Sequence, residues 1–106
     1  MNREETSLRL EVENVPNYAV RVETCAATLL PSGDVRITGA VVNAGLTRLQ
    51  APYLYFTVHD RFGMVLREDT VSAGVKMLQG GEEVEIEINI PDCAQGASFV
   101  KVFAST

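Results

Sequence analysis

The chain has one histidine, His59, followed directly by Asp60 in the stretch FTVHD. A histidine beside a carboxylate is the pair used in general acid–base chemistry, since imidazole titrates near neutrality and a carboxylate can orient it. Nucleophile types are present too: Cys25, Cys93, Ser32, Ser72 and Ser98. Their placement argues against a catalytic site. FTVHD reads as strand, and consecutive strand residues point to opposite faces, so the pair meets only if the strand ends between them. The three serines lie in turn-like contexts with no G-x-S-x-G elbow. Cys25 sits inside an apolar strand and reads as a core thiol. Cys93 is the more exposed candidate, but no second histidine or acidic partner stands in register with it. The expectation is a protein that is not an enzyme.

Ligand chemistry is the next possibility. His59, Met64, Met77, Cys25 and Cys93 are soft-metal ligand types suited to Cu(I), yet they are scattered, and methionine in a sandwich is usually core. Calcium would draw on Asp60, Glu68, Asp69 and Asp92, the loop-like carboxylates. Tyr53 and Tyr55 offer a platform for a carbohydrate, weakened by the absence of tryptophan. No cofactor is expected. Cys25 and Cys93 match no C-x-x-C spacing; they are a disulfide if the domain is exported, or more simply two buried thiols.

Composition narrows the partners. Nine Lys and Arg against 14 Asp and Glu leave a formal charge of −5. This argues against nucleic acid and against anionic membrane surfaces, both of which are bound through basic residues. No apolar run reaches the length of a spanning helix. MNREETSLRLEVENV lacks the positive-then-apolar pattern of a secretion signal, so the chain is either cytosolic or a domain separated from its signal or anchor. With 106 residues, 46% of them hydrophobic, it has the material for one core without staples. Residues 1–6 are expected to be flexible and 7–106 to form one domain.

The elements that must position these groups are strands. VEIEINI sets Val84, Ile86, Ile88 and Ile90 against Glu83, Glu85, Glu87 and Asn89, the period-2 alternation of a half-buried strand. SLRLEV, VRITGAV and FVKVFA alternate likewise. Pro31-Ser32-Gly33-Asp34 and Asp60-Arg61-Phe62-Gly63 are hairpin turns, Gln79-Gly80-Gly81-Glu82 opens a strand and Pro91 closes it. Strands are expected near 7–13, 18–30, 34–43, 53–60, 64–70, 82–90 and 98–104. The sole helix candidate, 72–79, is short and carries an internal glycine. Short strands at regular spacing indicate an all-β fold, an immunoglobulin-like antiparallel β-sandwich of about seven strands. Glu83, Glu85 and Glu87 read as a solvated row that also discourages edge pairing.

One strand breaks the pattern. In YLYFTVHD, Leu54, Phe56 and Val58 form one face, while Tyr53, Tyr55, Thr57 and His59 form a second face too apolar to be simply wet. Either a loop or long side chains cover it, or it is a contact surface for a partner protein or a second copy, a homodimer included.

Three segments carry a family resemblance. Ile37-Thr38-Gly39-Ala40-Val41-Val42-Asn43-Ala44-Gly45 resembles the G-x-V-x-N-x-G strand of several bacterial and archaeal immunoglobulin-like modules. Phe56-Thr57-Val58-His59-Asp60 resembles the signature of the FxLYD domain, with Val for Leu and His for Tyr, and Arg61 to Leu66 its following hairpin. Leu78-Gln79-Gly80-Gly81-Glu82 resembles its L-x-P-G-E step, with Gly80 in the proline's place. CARDB and WHy modules share parts of the pattern. The resemblance implies a noncatalytic sandwich, usually exported or anchored at the cell envelope, acting in protein contact or as a structural domain; a small-ligand module for a metal ion or carbohydrate is the alternative. Read on their own, Gly39 leaves room for a bulge or a close backbone approach, and Asn43 and Gly45 suit a turn with positive φ.

Overall fold

The computed structural model describes residues 5–14, 19–91, 93 and 96–106. Every regular element among them is a strand: β1 (Thr6–Val12), β2 (Val20–Leu29), β3 (Val35–Asn43), β4 (Leu49–Gln50), β5 (Tyr53–His59), β6 (Val65–Ser72), β7 (Met77–Leu78), β8 (Glu83–Ile90) and β9 (Phe99–Ser105). The seven long strands fall within two residues of the expected ranges. The 72–79 stretch is not helical; its end forms β7, a two-residue pairing with β4. Of the segment expected to be flexible, residues 1–4 lie outside the described residues, and the Glu5 carboxylate is held by Arg36 at 3.1 Å.

Hydrogen bonding runs in the order β6-β5-β9-β1-β2-β3-β8. The run divides at β1. Thr6 to Leu8 pair antiparallel with β2, while Arg9 to Val12 pair parallel with β9. One strand thus serves two layers, and the otherwise antiparallel sandwich gains one parallel seam. Where β1 ends, Asn14 continues the pairing with its side chain: its amide donates to the Val22 carbonyl (3.2 Å) and accepts from the Val22 N–H (3.0 Å).

The core lies between the layers. Val22, Ala27, Val35, Ile37, Val41, Ile86, Ile88 and Ile90 come from one side, and Leu54, Phe56, Val58, Val100, Val102 and Ala104 from the other. These are the alternate residues of each strand, so period-2 burial is what builds the sandwich. Opposite Gly39, β2 bulges: Glu23 pairs with Ala40 and Ala26 with Thr38, leaving two residues facing one. Gly39, which has no side chain, is the single residue opposite the bulge.

Asn43 and Gly45 differ from expectation. Neither is among the residues with positive φ. Asn43 ends β3 fully buried, its amide donating to the carbonyls of Thr47 (2.8 Å) and Leu78 (2.9 Å) while its side-chain oxygen accepts from the Gly45 N–H (3.0 Å). One side chain therefore ties the end of β3 to the loop after it and to β7. Gly45 is needed for room, since a Cβ there would stand 3.0 Å from the Ala19 Cβ. At Gly80 a Cβ would lie 2.7 Å from the Gly45 carbonyl oxygen; the chains touch backbone to backbone.

Both edges of the hydrogen-bonded run are guarded. β8 carries the exposed row of Glu83, Glu85 and Glu87, whose like charges oppose strand addition. On β6, Arg67 and Asp69 pair with the core residues Val58 and Phe56 and so share their face, and Asp69 Oδ1 accepts from the Thr70 N–H at 2.8 Å.

Candidate functional site

β5 lies between β6 and β9, and its register sets out the site. Tyr53 pairs with Ser105, Tyr55 with Phe103, Thr57 with Lys101 and His59 with Phe99. On the far side of β9, Arg9 pairs with Phe99 and Glu11 with Lys101. Residues paired across strands share a face. The outer face of this layer therefore carries five rings: Tyr53, Tyr55, His59, Phe99 and Phe103. All four predicted face residues, Tyr53, Tyr55, Thr57 and His59, are together on it.

His59 is 8% exposed. Its Nδ1 lies 3.1 Å from the Gly63 carbonyl oxygen and its Nε2 2.8 Å from Thr57 Oγ1. A carbonyl only accepts, so Nδ1 carries the hydrogen, and in the neutral ring Nε2 accepts from the Thr57 hydroxyl. Both ring nitrogens are thus occupied by hydrogen bonds. The ring stacks on Phe99, with centroids 4.5 Å apart and 1° between planes, and the Arg9 guanidinium sits 4.6 Å from the Phe99 centroid. Asp60 takes no part: Oδ1 accepts from the N–H groups of Phe62 and Met64, both at 2.9 Å, and locks the turn. The histidine and aspartate serve separate purposes, one in a stacked row and one in a hairpin.

Tyr55 meets Phe103 edge to face at 5.7 Å and donates its hydroxyl to Glu68 Oε2 at 2.8 Å. That bond first, then partial burial and the nearby Glu68 charge, push the phenol above its ordinary value of 10.0. Lys101 reaches Glu11 at 3.8 Å, and Glu11 also meets Arg9 at 3.4 Å. Between these groups opens a pocket of about 250 Å³ lined by Glu13, Tyr55, Thr57, His59, Lys101, Val102 and Phe103.

Neighbouring side chains cover part of this face, and Tyr53, Tyr55, Phe99 and Phe103 remain half-exposed. The phenylalanines, Arg9 and Lys101 were not singled out from the sequence. The signal was available: FVKVFA places two rings four residues apart, off the core phase, as YLYFTVH does with Tyr55 and His59.

The nucleophile candidates are spread over the fold. Ser32 and Ser72 hydroxyls accept from the N–H groups of Asp34 and Gly74 and brace turns. Cys93, expected to be the more exposed thiol, is the more buried, because it packs into the core and donates to the Ile90 carbonyl at 3.5 Å. Cys25 is half-buried, and burial raises its pKa above the ordinary thiol value; the two are not joined. Met64 and Met77 are exposed rather than core. Among the described residues, no three His, Cys, Asp or Glu side chains converge as a metal site; Asp92, one calcium candidate, lies outside them. A cleft of about 560 Å³ over Gly39, rimmed by Glu83, Glu85 and Glu87, has none of these rings.

With this geometry in place, comparison shows the fold. Two solved structures are similar across nearly the whole chain. A DUF1425 family member from Shewanella sp. pv-4 matches with a TM-score of 0.57 at 16% identity, over 95% of this chain and 89% of its own. Campylobacter jejuni cj0090 matches with a TM-score of 0.53 at 17% identity, over 91% and 97%. At such identities the likeness is one of fold, a β-rich sandwich. No protein-family model and no curated protein matches the sequence.

Proposed function

We infer that this chain is a noncatalytic β-sandwich module that works by protein contact through the outer face of β5 and β9. The observation that carries this reading is the row of rings on that face: Tyr53, Tyr55, Phe99 and Phe103 are half-exposed and interleaved with Arg9, Glu11, Lys101 and Glu68. Half-exposed aromatic rings rimmed by charge are the composition of a protein interface. An envelope setting is supported by the FxLYD-like segments around Asn43, Phe56 and Gly80. A photo-crosslinking residue in place of Tyr53 in the cell of origin should form adducts with protein that vanish in Tyr55→Ser. If no adduct of any mass forms, this reading fails.

The pocket that Tyr55 and Phe103 help to line favours a second reading, a small ligand packed against the rings. A thermal-shift panel of copper, calcium and oligosaccharides tests it, and a flat response across the panel rejects it.

A further inference from the structure

The same chain carries both a socket and a knob. The socket is the pocket of about 250 Å³ walled by Tyr55 and Phe103. Its volume exceeds the roughly 150 Å³ of an apolar cavity that holds a benzene ring, so a phenylalanine side chain has room on this open face. The knob is Phe62, 76% exposed at the apex of the β5–β6 turn beside Met64, itself 66% exposed. By contrast Phe56 is buried, and Phe99 and Phe103 are half-buried. The turn holds the knob firmly, because the Gly63 N–H donates to the Asp60 carbonyl at 3.1 Å while Asp60 Oδ1 takes the Phe62 and Met64 N–H groups. A preordered loop loses little freedom on docking. Charge agrees as well. Arg61 lies over the Phe62 ring at 4.8 Å, Glu13 stands on the socket rim, and neither has an ion-pair partner among the described residues.

We propose that two copies of this chain pair face to face, each inserting Phe62 into the Tyr55–Phe103 pocket of the other. The proposal rests on the reading of this face as a contact surface, and it names the partner. The turn that carries Phe62 follows the His59 end of β5 and the pocket extends back along β5 to Tyr55, so the proposed twofold axis lies near the His59–Phe99 stack, between knob and socket. Such an exchange uses the same two surfaces twice and closes on itself. It also brings Arg61 of one copy toward Glu13 of the other. Strand addition is the competing route to a pair, and both edges oppose it, through the glutamate row on β8 and the inward charges on β6.

Sedimentation equilibrium over a concentration series tests the pairing. The wild type should form a closed dimer that weakens as salt rises. Phe62→Ser, at a surface position that leaves the fold intact by circular dichroism, should weaken it by at least about tenfold. An equimolar mixture of Phe62→Ser and Tyr55→Ser should dimerise better than either alone, because the mixed pair keeps one knob and one matching socket. A wild type monomeric at every concentration, a dimer untouched by Phe62→Ser, or an open-ended polymer would each overturn the proposal. A monomeric wild type whose Tyr53 position still crosslinks another protein would overturn the pairing and leave the contact reading standing.

Discussion

His59 and Phe99 stand directly opposite each other on neighbouring strands and stack plane to plane at 4.5 Å. The stack, the Thr57 hydroxyl and the Gly63 carbonyl together fix the imidazole at the end of β5. His59→Phe keeps a ring on Phe99 but leaves Thr57 and Gly63 without their partner. It should destabilise the fold by about 1–3 kcal/mol, the cost of unsatisfied polar groups at a largely buried site. Urea unfolding measures this, and an unchanged midpoint would remove the structural role given to the imidazole.

Tyr55 should ionise late. The Glu68 hydrogen bond requires the protonated phenol, so the folded-state pKa lies above the ordinary value. The sign follows from linkage: the contribution is complete below pH 10, where the unfolded phenol is still protonated, and it is lost as pH rises through the folded-state value. Ultraviolet titration of the wild type against Glu68→Gln should show one tyrosine moving down in the variant.

Asn43 is the polar residue on which the β3 end depends. Asn43→Ala strands the Thr47 and Leu78 carbonyls and the Gly45 N–H in and around the core. The expected loss is about 3 kcal/mol. Asn43→Asp keeps the shape but cannot donate to either carbonyl, so it should be at least as damaging. Chemical denaturation of both variants distinguishes a donor role from simple packing.

Gly80→Ala should cost about 1–3 kcal/mol through overpacking, since the added methyl meets backbone oxygens at 2.7 and 2.9 Å that cannot swing aside. Gly74→Ala is the control. Its Cβ meets nothing within 4 Å, and only its φ of +86° opposes the change, for about 1–2 kcal/mol. Thermal melts check both values, and a Gly80→Ala variant that melts with the wild type would contradict the backbone collision.

The family-like positions acquire distinct physical meanings in three dimensions. Gly39 stands opposite a bulge in the strand beside it. Asn43, which reads as a turn residue in one dimension, is a buried anchor, because its three partners come from the loop just after it and from β7, 35 residues away. Gly80 answers a backbone contact with the Gly45–Leu46 segment, and no local pattern reports that contact.

By itself the sequence determined the seven long strands, both hairpins and the core phase of β3, β5, β8 and β9, since alternation, turn residues and β-branched runs act over a few residues; the bulge between Glu23 and Ala26 shifts the phase of β2. It also marked Tyr53, Tyr55, Thr57 and His59 as one face, because strand geometry assigns faces by parity. What it could not decide was which strand lies on the side of β5 away from β6. Only the tertiary structure set β9 there, bringing Phe99, Phe103 and Lys101 onto the face, and joined β1 to β9 so that Arg9 and Glu11 reach it. Strand neighbours distant in sequence are chosen by the closing of the whole core, which is a property of all the strands together.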